Sequence, residues 1–99
     1  MTAAAMAERL RDVIAGRDSI TLTGESWDDT FAGNVEFAFA NGDRVVIFND
    51  CDEFDYVDLF IPVNGEPTTD FDAWIERNPT DLLSDDEHAE ITRIFKAAK

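Results

Sequence analysis

Between Thr2 and Ala15, the apolar residues Ala3, Met6, Ala7, Leu10, Val13 and Ile14 recur at three- and four-residue spacing. Glu8, Arg9, Arg11 and Asp12 fill the opposite face, which predicts an amphipathic helix. Gly16 is placed to end it in the left-handed conformation. From Ser19 to Thr23 the period falls to two, with Ile20 and Leu22 against Thr21 and Thr23, as in a short strand. Gly24 to Thr30 is a polar loop carrying Trp27. Phe31 to Ala40 alternates again, placing Phe31, Val35, Phe37 and Phe39 on one side and Asn34, Glu36 and Ala38 on the other.

Asn41-Gly42 predicts a two-residue type I′ hairpin, whose central positions both need positive φ. In that register Phe37 faces Val46, Val35 faces Phe48, and Gly33 faces Asp50. The expected core face is then Val35, Phe37, Val46 and Phe48, with Asp50 at its far end. Val57, Leu59, Ile61 and Val63 alternate with Asp58, Phe60 and Pro62 in a fourth strand. Pro62 has no N–H, so that strand is expected at an edge or ending in a bulge.

Asp70 is a candidate N-cap for a short helix from Phe71 to Arg77, with Trp74 and Ile75 turned inward and Asn78-Pro79 breaking it. Ser84-Asp85-Asp86-Glu87 is a capping box opening a last helix from Asp85 to Ala98. Its apolar stripe is His88, Ile91, Ile94, Phe95 and Ala98, and its acids and bases lie at the ends the helix dipole prefers. The pattern predicts one α+β domain over residues 1–99: an N-terminal helix, an antiparallel sheet of about four strands, and two C-terminal helices.

Composition adds partners rather than fold. At 44% hydrophobic residues, with eight Phe and two Trp, the chain can bury a core despite its charge. Its 22 acids against 8 bases give −14, which excludes ordinary nucleic-acid binding and disfavours anionic membrane surfaces. Such a charge favours fast association with basic protein surfaces. It is also localised: from Glu25 to Asp72 there are 13 acids and one base, Arg44. A single cysteine, the lack of a signal-peptide core and the lack of a membrane-length apolar run lead to the expectation of a cytoplasmic protein.

The densest acidic stretch, Asn49 to Asp58, holds Asp50, Asp52, Glu53, Asp55 and Asp58 between two apolar runs. An EF-hand would need an oxygen ligand, Gly and Glu at its fifth, sixth and twelfth positions, where this chain has Phe54, Asp55 and Ile61. A looser divalent site on Asp50, Asp52 and Asp55 is a further alternative, because clustered carboxylates gather hard cations. Cys51 lies between two carboxylates that oppose thiolate formation, and the only histidine, His88, is far away in sequence. With no phosphate loop or cofactor fingerprint either, the expectation is a protein with no catalytic residues, no cofactor and no metal site.

The bland reading of the acidic stretch is a solvated loop. Mutual repulsion of its carboxylates costs stability, which argues for a use. On an extended strand Asp50 and Asp52 would lie about 6.6 Å apart, a spacing comparable with that of phosphates along DNA. The expected partner-binding patch is therefore Asp50, Asp52, Glu53, Asp55 and Asp58, with Tyr56 beside it and Asp28, Asp29, Asp70 and Asp72 as its rim. Trp74 is expected in the core, and Trp27 as either a lid or an interface anchor. The expected function is inhibition of a basic, nucleic-acid-binding complex by a DNA-mimicking surface. The alternative is an immunity protein that neutralises a cationic nuclease.

The run Val46-Ile47-Phe48-Asn49-Asp50-Cys51-Asp52-Glu53-Phe54-Asp55-Tyr56-Val57-Asp58 resembles the central signature of a family of small uncharacterised bacterial proteins, a domain of unknown function. The likeness extends to Trp27, Gly33-Asn34-Val35, Asp72-Ala73-Trp74 and Leu82 to His88. It implies a single-domain boundary and brings no catalytic residue. In style the chain is also similar to small acidic phage-encoded inhibitors, including anti-CRISPR proteins that resemble DNA to a surveillance complex.

Overall fold

Thr2 caps the first helix, its Oγ1 accepting the Ala5 N–H at 3.1 Å, and α1 runs Ala3–Ile14. Gly16 follows at φ +79°, the left-handed stop that its position predicts. The computed structural model describes residues 1–65 and 71–99, and only the backbone of 71–73. Four strands follow α1: β1 Ile20–Leu22, β2 Ala32–Phe39, β3 Arg44–Asp50 and β4 Phe54–Ile61. They form one antiparallel sheet in chain order, with β1 and β4 at its edges. Then come α2 (Phe71–Glu76), a 3₁₀ turn (Pro79–Leu82) and α3 (Asp85–Ala97). This is the expected α+β arrangement, with the 3₁₀ turn added where Asn78-Pro79 was expected only to break a helix. The proposed Asp70 cap lies outside the described residues.

α1 and α3 cover one face of the sheet. Met6, Leu10, Ile91 and Phe95 share a core with Val35, Phe37, Val45, Ile47, Phe54, Val57 and Phe60. Phe95 stacks on Phe37 at 4.7 Å and meets Phe54 edge-on at 5.1 Å, so α3 is seated by aromatic contact. Arg11 joins three elements: it donates to Glu87 at 2.8 Å and to the Leu82 carbonyl at 2.6 Å.

The hairpin between β2 and β3 corrects the predicted register by one residue. Phe37 pairs with Val45, Val35 with Ile47, and Gly33 with Asn49. The loop has three residues, not two: the Gly42 N–H bonds the Phe39 carbonyl, the Phe39 N–H bonds the Asp43 carbonyl, and only Gly42 has positive φ. That is a type I turn followed by a left-handed glycine. Asn41 Oδ1 accepts the Asp43 N–H at 3.0 Å, while the buried Asp43 carboxylate takes Arg9 at 3.1 Å and the Val63 N–H at 2.9 Å. These contacts settle the longer loop. A one-residue slip reverses every side chain of β3, so Val45, Ile47 and Asn49 face the helices, and Val46, Phe48 and Asp50 face outward.

Three smaller expectations also change. Phe31 precedes β2 and is 80% exposed, and Ile75 on α2 is 73% exposed, whereas Trp74 is buried as expected. β4 buries Phe54, Val57 and Phe60, a spacing of three rather than two. The cause is a pair of register shifts against β3 that leave Asp55 and Asp58 as extra residues. At the free edge of β4 the Asn78 side chain pairs with Val57 in both directions, at 2.9 and 2.8 Å, closing part of that edge.

Candidate functional site

The acidic stretch folds as the hairpin turn between β3 and β4. Asp50 and Glu53 exchange both backbone hydrogen bonds, at 2.8 and 3.1 Å, and Cys51 and Asp52 between them have φ of 51° and 78°. Two left-handed central residues and a two-residue loop make this the type I′ turn, at Cys51-Asp52 rather than Asn41-Gly42. Neither is glycine, and the left-handed region costs an ordinary residue roughly 1–2 kcal/mol. Aspartate tolerates it better than cysteine does.

A network reaching from the buried Asn49 to the surface holds the turn in this form. Asn49 sits on the core face, 1% exposed, and its Nδ2 donates to the Thr30 carbonyl at 2.7 Å and the Trp27 carbonyl at 3.3 Å. Its Oδ1 accepts the Asp52 N–H at 2.9 Å. The Cys51 N–H bonds the Phe31 carbonyl at 3.0 Å. Trp27 Nε1 donates to Asp52 Oδ1 at 2.9 Å, and Lys96 near the end of α3 pairs with the same oxygen at 2.9 Å. The Trp27 N–H, and after it Lys96, hold the Asp52 carboxyl below the usual range. His88 has a structural place beneath the turn, its ring stacked on Phe54 at 5.3 Å and Nε2 donating to the Phe54 carbonyl at 2.7 Å.

The expected site residues thus separate by role. Trp27 is 2% exposed, which does not fit an interface anchor; from its loop it packs into the core and fastens Asp52. Asp52 is exposed but engaged by Trp27 and Lys96. It lies in the turn, so the extended-strand spacing assumed for Asp50 and Asp52 does not apply. Asp28 lines the same shallow hollow as Trp27, Phe31, Cys51 and Asp52. Asp29 instead accepts from Ser26 Oγ at 2.9 Å within its own loop. Asp58 reaches across β3 to the Asn34 amide at 3.5 Å, and Tyr56 stands beside it on the outer face. Asp70 and the Asp72 side chain lie outside the described residues.

The charges left free are the informative ones. Arg9, Arg11, Arg17, Arg44, Arg93 and Lys96 are all committed to acids elsewhere in the fold or to Asp52. Among the described residues, none of the ion pairs involves Asp50, Glu53, Asp55, Asp58 or Asp28. No group of three or more His, Cys, Asp or Glu among the described residues is arranged to hold a metal ion, so Asp50, Asp52 and Asp55 do not converge. Desolvation of the sulfur, and next the Asp50 carboxylate, push the Cys51 thiol up, away from nucleophilic reactivity. Sequence reasoning missed Asn49 as the organiser. Its signal was an Asn at the inward end of a strand, visible only once the register is right.

Fold and turn together define a small acidic α+β domain with a held, carboxylate-bearing hairpin. Residues 1–97 match the DUF7693 family, a domain of unknown function, and the chain belongs to that family. Comparison with curated proteins and with solved structures finds no match in either. No helix among the described residues is long and apolar enough to cross a membrane.

Proposed function

We propose that this protein is a non-catalytic binding protein of the cytoplasm, whose acidic hairpin docks on the basic surface of a nucleic-acid-binding protein and competes there with nucleic acid. The observation that carries this reading is the strain at Cys51 and Asp52, held by Asn49, Trp27, Phe31 and Lys96. Backbone strain of this kind concentrates where geometry is used. Its product is a fixed presentation of Asp50, Glu53 and Asp55 without counter-charges. Binding such a face releases counterions from the partner's basic channel and is steered by the −14 net charge. The concrete form is an inhibitor of a defence complex that reads nucleic acid, such as a CRISPR surveillance complex.

The test is in-cell photo-crosslinking from position 53, with a probe at Arg17 on the far side of the chain as control. The reading expects a basic nucleic-acid-binding protein captured only from position 53, and released by duplex DNA and by salt. Equal capture from both positions, or capture indifferent to DNA and salt, contradicts it.

A further inference from the structure

The sheet face opposite the helices carries an aromatic pair that the core does not use. Phe48 and Tyr56 lie on facing positions of β3 and β4, their rings stacked at 5.1 Å and 6° apart. Tyr56 is 37% exposed, and Leu59, the next β4 residue paired along that face, is half-buried. The register shifts along β4 place Asp55 and Asp58 on either side of Tyr56, and Asp58 lies over β3 toward Asn34. Partial burial, then Asp58 and Asp55, push the Tyr56 phenol up. The surface is therefore apolar at its centre and negative at its rim.

Its charge selects the occupant. A second copy would bring two chains of −14 together, and anionic lipid headgroups or nucleic acid would be repelled in the same way. A cation that can also cover a ring fits, and the planar guanidinium does this better than the compact, strongly hydrated ammonium of lysine. The fold already contains one such arrangement: Arg9 lies 4.2 Å over the Phe39 ring while pairing with Asp43 at 3.1 Å and Asp18 at 3.6 Å. We propose that the outer face centred on Phe48 and Tyr56 docks an arginine-bearing segment of a protein partner, the guanidinium lying over Tyr56 and donating to Asp55 and Asp58. The inference rests on the reading of the protein as a binder of basic surfaces, and names the surface and the side chain read.

Two synthetic peptides of equal length and charge test it, one alternating Arg with Gly and one alternating Lys with Gly. Each is titrated into the isotope-labelled protein at low salt while backbone amide signals are followed. The Arg peptide binds about two- to fivefold more tightly than the Lys peptide, and the shifts centre on Phe48, Tyr56 and Leu59. Tyr56→Ala and Tyr56→Leu each bring that ratio to about one, whereas Asp50→Asn with Glu53→Gln weakens both peptides alike. Equal, salt-dependent binding with the Phe48 and Tyr56 signals unmoved overturns the inference and leaves the acidic-hairpin reading standing. Shifts at these residues that depend on protein concentration alone point to a second copy and also overturn it. Absence of binding by either peptide overturns both.

Discussion

Trp27 Nε1 and Asp52 Oδ1 are joined at 2.9 Å, linking a ring inside the core to a carboxylate at the tip of the acidic hairpin. The bond explains why a tryptophan set among acids is buried, and why an aspartate in a left-handed turn stays in one orientation. Lys96 completes the clasp from α3.

Trp27→Phe keeps an aromatic ring but removes the donor. The largest influence lowering the Asp52 carboxyl disappears, so its titration midpoint moves up toward the ordinary aspartate value. The smaller ring also costs about 1–3 kcal/mol of stability through imperfect filling. Carbon-detected titration of the Asp52 carboxyl checks the first effect and urea unfolding the second. An unchanged Asp52 titration would show that the bond does not hold the carboxylate.

Cys51 occupies the first central position of a type I′ turn, at φ 51°, where asparagine is favoured. Cys51→Asn is expected to stabilise the protein by about 0.5–1 kcal/mol by relieving the left-handed backbone. Cys51→Val, branched at Cβ, is expected to destabilise it. The reverse order of unfolding midpoints would contradict the strain assigned to the turn.

Local chemistry was readable in the chain wherever neighbouring residues alone decide the outcome. Gly16 ends α1, and Ser84 and Glu87 form both halves of the capping box that opens α3. The hairpin registers were not readable in the same way. Asn41-Gly42 is the stronger type I′ signal, yet Arg9 and Val63, both distant in sequence, hold Asp43 so that the loop takes three residues. The Cys51-Asp52 turn lacks glycine, and its supports come from residues 27 to 31 and from α3, all distant in sequence. The spacing of Phe54, Val57 and Phe60 did contain the bulges of β4, hidden by the competing alternation of Val57, Leu59 and Ile61. The acidic patch was therefore found as a composition, while its division into clasped Asp52 and free Asp50, Glu53 and Asp55 needed the fold.

Acid should act through the depressed carboxyls, among them Asp43, Glu87 and Asp52. For Asp43, burial alone would raise the pKa, but the Val63 N–H, Asn41 and Arg9 outweigh it; Arg11 lowers Glu87, and Trp27 lowers Asp52. A group whose folded pKa is depressed contributes stability that is complete above its unfolded pKa and lost as pH falls through the folded one. The ordinary values are 4.5 for Glu87 and 3.8 for the aspartates. The urea midpoint should therefore not fall between about pH 7 and pH 5, and should drop below about pH 4.5. In Asp43→Asn the drop should be shallower. A steady decline starting at neutral pH would contradict this assignment.

The central claim is that Asp50, Glu53 and Asp55 are held out for a basic partner at a cost to the fold. Neutralising them together (Asp50→Asn, Glu53→Gln, Asp55→Asn) should raise thermal stability by reducing repulsion within the hairpin. The same variant should lose the partner captured by crosslinking from position 53. The most direct measurement is the affinity of that purified partner for the wild-type protein and the triple variant across a salt series. The account predicts that the wild type binds with a steep salt dependence and that the variant binds at least tenfold more weakly with a flatter slope. Equal affinity and equal slope for the two proteins would contradict it.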